Sequence, residues 1–158
     1  MKKALDKYLA YFLALLMALI TLDVLWGVFT RYALGNQTGW TEELARYLLI
    51  WIGMLGAAYA SGQKMHLAID LLSPKLNPKA QVRLAIIIHL LIAGFALTAM
   101  VIGGLRLMYI THTLGQTSAA MRIPMALVYA AIPLAGMLVV FYKIDELRQR
   151  NQATENSV

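Results

Sequence analysis

Four long apolar runs, at about 8–29, 44–61, 84–105 and 124–142, take up most of this chain and limit what it can become. They are too continuous for the one-sided stripe of a soluble helix. A hydrocarbon core of roughly 30 Å takes about 20 apolar residues of helix, and each run is close to that length. With 60% hydrophobic and only 14% charged residues, the chain reads as an integral membrane protein. The expected fold is all-α, with four transmembrane helices at about 8–31, 42–62, 80–110 and 124–143 in a single membrane domain over 1–158. The polar tail from Asp145 is expected to fray, with disorder at about 150–158. No room is left for a soluble catalytic domain. The first run exceeds a signal-peptide core and lacks an Ala-x-Ala site after it, so it is expected to stay as a span. Absence of cysteine excludes disulfides, thiolate chemistry and cysteine-held metals.

A net charge of +6 raises the question of nucleic acid, and its placement answers it. Lys2, Lys3, Lys7, Lys64, Lys75, Lys79, Lys143, Arg83, Arg148 and Arg150 are ten of the fourteen basic residues, and a four-span layout puts them all on one side. That is a topology signal, with both termini cytoplasmic and no nucleic-acid partner.

The polar residues near the membrane carry the functional question. Asp23 lies in the first span, roughly 12 Å below Arg31 at 1.5 Å per residue. It reads either as a structural group or as an ion- or proton-carrying carboxylate; a carrier site usually gathers several polar groups at the midplane, which favours the former. Gly35-Asn36 marks the outer turn. Thr41 is a plausible N-cap for the second helix, with Glu42 and Glu43 in its first turn, where the helix dipole favours negative charge. Arg46 is spaced to reach either glutamate. At a depth comparable with Asp23, it is expected to pair with that carboxylate, unless these charges meet a second polypeptide. Gly53 and Ala57, four apart, allow close approach of a further helix.

Between helices two and three, 63–78 reads as a short amphipathic segment lying on the membrane surface, with His66 and Asp70 on one helical face and Pro74 and Pro78 ending it. The segment is either a partner contact or an interfacial cap. The third helix exceeds the length of a simple span, so it is expected to tilt or project. It carries His89 in its inner half. Arg106 is near its outer end, and His112, Gln116, Thr117 and Arg122 follow in a polar outer loop. The fourth span begins at Pro124, a good first-turn proline, and Pro133 within it is expected to break a backbone bond and kink the helix.

Trp40-Thr41-Glu42-Glu43 with Arg46, the Gly56-Ala57-Ala58 helix and His66-x-x-Ile69-Asp70 together resemble the signature of the small membrane subunit (DctQ/SiaQ type) of tripartite ATP-independent periplasmic (TRAP) transporters. Four spans and short length fit the same family, so the resemblance extends over nearly the whole chain. It implies a protein of the bacterial inner membrane that does no chemistry. Its implied partners are a large membrane subunit (DctM/SiaM type), which carries substrate and sodium ions, and a periplasmic substrate-binding protein that delivers organic acids. The family's substrates include four-carbon dicarboxylates, keto acids and sialic acids, and of these sialic acid and C4-dicarboxylate are favoured here. No cofactor or metal is implied on the small subunit, which is expected to brace the large one while a transport domain moves. On this resemblance Trp40, Glu42, Glu43, Arg46, His66 and Asp70 are expected to be structural or intersubunit locks of a protein in the lipid bilayer, and Asp23, read from its place in the first span, joins them. Charge and location make Arg31, Gln116 and Arg122 the candidates for contact with the binding protein.

Two other classes are consistent with the composition. One is a small proton-coupled carrier working alone through Asp23. The other is a membrane electron-transfer subunit holding haem between histidines, although His66, His89 and His112 are not evidently matched in depth.

Overall fold

The computed structural model describes residues 2–35, 38–63 and 78–155. Helix α1 is Lys2–Ala33 and α2 is Gly39–Gly62. The third span is α3 (Pro78–Phe95), a π-helical stretch Ala96–Ile102 and α4 (Gly103–Thr113). A short α5 (Met125–Tyr129) and α6 (Ala131–Glu155) make the fourth. Among the described residues four helices are long and apolar enough to cross a membrane, as the hydropathy runs require. His66 and Asp70, with 64–77 of the surface segment expected around them, lie outside the described residues, as does Asn36.

Helix order in space is not the order in the chain. α1 packs on α2, α2 packs on α6, and α6 packs on the third span. The result is a layer ordered first, second, fourth, third. Leu9, Leu55, Ala58, Ala96, Ala135 and Val139 form the core where the middle helices meet. Three of those six are alanines, because backbones that approach closely leave no room for larger side chains.

Glycines mark the tightest approaches. A Cβ at Gly62 would stand 2.7 Å from the Tyr142 ring, one at Gly104 2.8 Å from Pro133, and one at Gly136 2.7 Å from the Met100 Cβ. The last two press the third span against the fourth. The π-helical stretch lies at this seam, its wider turn carrying Met100 and Val101 onto Gly136. Gly53 behaves differently. A Cβ there would meet nothing within 4 Å, so the Gly53 and Ala57 spacing is unused within the described chain.

Two helix starts differ from expectation. α2 begins at Gly39 with Thr38 as N-cap, and Thr41 sits inside the first turn, its hydroxyl donating back to the Thr38 carbonyl at 2.8 Å. Gly39 and Trp40 accept helical geometry, so the helix extends two residues beyond the first plausible capping side chain. Pro124 caps α5 rather than opening it: its ψ of 124° is extended, and the helix starts at Met125. Pro133 does interrupt the fourth span. Lacking an N–H, it leaves the Tyr129 carbonyl without its helical donor, and the helix divides at Ala130, between α5 and α6.

Candidate functional site

Among the described residues, the buried ionisable side chains within the spans fall into two groups, one toward each end of the bundle. At the end carrying the termini, Tyr142 is fully buried, and its hydroxyl donates to Asp6 Oδ1 at 2.6 Å, tying α6 to the start of α1. Lys2 Nζ lies 5.7 Å from the centre of the same ring. One residue on, Lys143 is fully buried, donating to Glu146 Oε2 at 2.9 Å and to the Ser61 carbonyl at 3.2 Å. His89 Nδ1 stands 3.4 Å from the same Glu146 oxygen. A single carboxylate on α6 thus gathers a lysine of its own helix and a histidine of α3, while that lysine reaches the last turn of α2. Charges this deep are stable only when paired and hydrogen-bonded.

Sequence reading missed this cluster apart from the position of His89. The i, i+3 spacing of Lys143 and Glu146 is a weak signal, because it falls where α6 turns from apolar to charged, beside Asp145 and Arg148. Its partners were not readable, because they depend on α6 lying between α2 and α3. His89 lies beside the Glu146 carboxylate rather than facing another histidine, and His112 is exposed near the far end.

At the opposite end, adjacent glutamates do different work. Glu43 accepts the backbone N–H groups of Ala120 and Met121, both at 3.0 Å. The loop 114–124 closes on itself around them. Ser118 N–H donates to the Ile123 carbonyl and its Oγ accepts from Ile123 N–H, while Thr117 and Pro124 pair as an antiparallel bridge. Gly115 and Arg122 take positive φ, 60° and 55°, to make the turns. For Arg122 this is a strained backbone, held in place by the bonds on either side. Tyr47 reaches across to the Met125 sulfur at 3.6 Å. Glu43 is therefore a lock inside the chain, joining α2 to the third-to-fourth span connection.

Glu42 points elsewhere. With Arg46 it forms no ion pair among the described residues, and both are exposed. Asp23 is over nine-tenths buried, 7% exposed, and neither carboxylate oxygen has a hydrogen-bond partner. The Asp23 to Arg46 pair expected from depth does not form. Asp23 faces Thr41 and Ala45 across a cavity of about 220 Å³, whereas Arg46 is rotated onto the outer face of α2. Matched depth on two helices does not set matched azimuth. Gly27 packs against Thr41 here, with a Cβ position 3.3 Å from its hydroxyl, so α1 and α2 approach closely beside the cavity.

Arg31, Gln116 and Arg122 are all exposed at this far end, Arg31 in the last turn of α1 where a cation suits the helix dipole. Gln116 uses its backbone to accept from Met125 N–H and to donate to the Thr111 carbonyl. Trp40 is 40% exposed on the first turn of α2. Among the described residues no three histidine, aspartate or glutamate side chains converge as a metal site.

Residues 20–152 match the family model of the DctQ component of tripartite ATP-independent periplasmic transporters. A TRAP transporter small permease protein of Haemophilus influenzae is 30% identical over 132 residues, covering 84% of this chain and 80% of that one. The sialic acid TRAP transporter small permease protein SiaQ of Vibrio cholerae is 29% identical over 138 residues, covering 84% and 75%. The C4-dicarboxylate TRAP transporter small permease protein DctQ of Rhodobacter capsulatus is 34% identical over 109 residues, covering 68% of this chain and 47% of that one.

Proposed function

The chain belongs to the DctQ family, a non-enzymatic small permease subunit of a TRAP transporter, and from that premise we propose that it braces the large transport subunit of a sodium-coupled, binding-protein-dependent importer. The observation that carries this reading is the family match over residues 20–152, which takes in Asp23, Glu42, Glu43, His89, Lys143 and Glu146. The physical design supports it. A brace needs internal locks, which Glu43, Tyr142, Lys143 and Glu146 supply, and a lipid-facing perimeter, which the exposed leucines and aromatics of α1 and α3 supply. Sodium ions belong to the large subunit in this reading.

The substrate class is an organic acid anion, sialic acid or a C4-dicarboxylate, the two chemistries named for the relatives above. Excess positive charge at the termini end supports a bacterial inner-membrane orientation with both termini in the cytoplasm. The far end, with Arg31, Gln116 and Arg122, then faces the periplasmic binding protein. Arg31→Glu is expected to slow uptake by the reconstituted three-part system; unchanged uptake removes Arg31 from that contact.

The test of the main reading is to tag the carboxyl end, extract the chain gently from its native membrane and identify what accompanies it. One large multi-span protein in equal amount is the expected result. A chain that emerges alone or as a stable homodimer overturns the reading. The stand-alone carrier keeps one observation in its favour, the burial of Asp23, and requires the purified chain by itself to move solute across vesicles, with loss in Asp23→Asn.

A further inference from the structure

Glu42 belongs to two features at once. It lines the cavity that holds Asp23, and it heads a row of α2 residues, Glu42, Arg46, Leu49, Gly53, Ala57 and Ala60, spaced four, three, four, four and three apart. That spacing is one face of a helix. All six are exposed, while Leu55, Ala58 and Gly62 on other faces of α2 are buried. Lipid tails gain nothing from two charges and three small residues in a row; a neighbouring helix gains a close approach over Gly53 and Ala57.

The Asp23 cavity says what that helix must bring. Three formal charges line it, Asp23 and Glu42 negative and Arg31 positive, so it is short of one cation. Arg31 and Arg46 do not supply it, since neither bonds Asp23. A carboxylate this buried within a span calls for a fixed partner of opposite charge.

We propose that this face of α2 is the seat of a transmembrane helix of the large partner subunit, and that the helix places one lysine or arginine against Asp23. The inference rests on the proposed function, which supplies the large subunit. Ala45 marks the cavity, and Gly53 and Ala57 follow 8 and 12 residues later. At 1.5 Å per residue the base therefore stands about 12–18 Å further toward the far end than the segment of that helix lying over the two small residues.

The chain has no cysteine, so reactive groups can be introduced one at a time into the tagged complex in its native membrane. A photoreactive residue at position 49 is compared with the same residue at 91 and 97, two exposed leucines of the third span. The expected result is a cross-link from 49 to a span of the large subunit that carries a lysine or arginine at the stated offset. Cross-links to the large subunit from 91 or 97 with none from 49 overturn the placement. If no large protein accompanies the chain in any sample, the functional reading itself has failed, which is a separate outcome.

Asp23→Asn then tests the ion pair. Removing one member of a buried pair is expected to weaken association roughly thirtyfold or more. Replacing the mapped base by aspartate is expected to restore Asp23→Lys in part. The isolated Asp23→Asn chain is expected to keep its helical circular dichroism, which separates assembly from folding. Unchanged association in Asp23→Asn, or solute transport by the chain alone that depends on Asp23, overturns the pairing.

Discussion

His89 and Lys143 meet around the Glu146 carboxylate at the end of the bundle that carries the termini, whereas Asp23, Glu42 and Arg46 at the other end form no ion pair within the described chain. Both sets are ionisable groups in helices built for lipid. The difference is in who answers them. A charge satisfied by its own chain sets the order of the helices; a charge left over describes something the chain is built to meet. Glu42 and Glu43 make the same contrast over a single residue step, one facing out and the other holding the Ala120 and Met121 amides.

The largest effect expected of this contrast is at Glu146. Glu146→Ala takes the carboxylate from a fully buried lysine, and breaking a buried pair this way costs about 3–5 kcal/mol. The unfolding midpoint of the purified chain in detergent should fall accordingly. An unchanged midpoint would erase the distinction between the two ends.

Next comes Gly62→Ala, which drives a methyl into a Tyr142 ring that is itself tied to Asp6. Overpacking of this kind costs about 1–3 kcal/mol, measurable in the same titration. Glu43→Gln should speed amide hydrogen exchange at Ala120 and Met121, while Glu42→Gln leaves both rates as they were. Equal effects from the two substitutions would show that Glu43 is not the clamp. The smallest effect is at Gly53. Gly53→Ala has open space to enter, so the isolated chain should be unharmed or gain up to about 1 kcal/mol from helix propensity. Loss of stability there would mean that the face is already filled.

The spans were legible because lipid demands long apolar helices, and the family was legible in the charged entry to α2. Asp23 stood out for the same reason: one carboxylate in an apolar run is conspicuous. What it faces was not legible. Pairing Asp23 with Arg46 followed depth, which rise per residue supplies, but contact also needs azimuth and helix order. The Glu146 cluster was hidden by that order, since nothing in a hydropathy trace places α6 between α2 and α3. The π-helical stretch was equally hidden: Ala96–Ile102 has the composition of ordinary helix, and its widening is visible only against Gly136.

The first-second-fourth-third arrangement also orders events at the ribosome. When three spans have been released, α1 and α2 can already close as a hairpin through Gly27 and Thr41, while the third span has yet to meet the surface it packs on. Gly136 and Pro133 arrive last, and only then do Met100 and Gly104 find their neighbours. The third span, which carries His89 and Arg106, thus gains most of its packing surface only with the last segment to be synthesised.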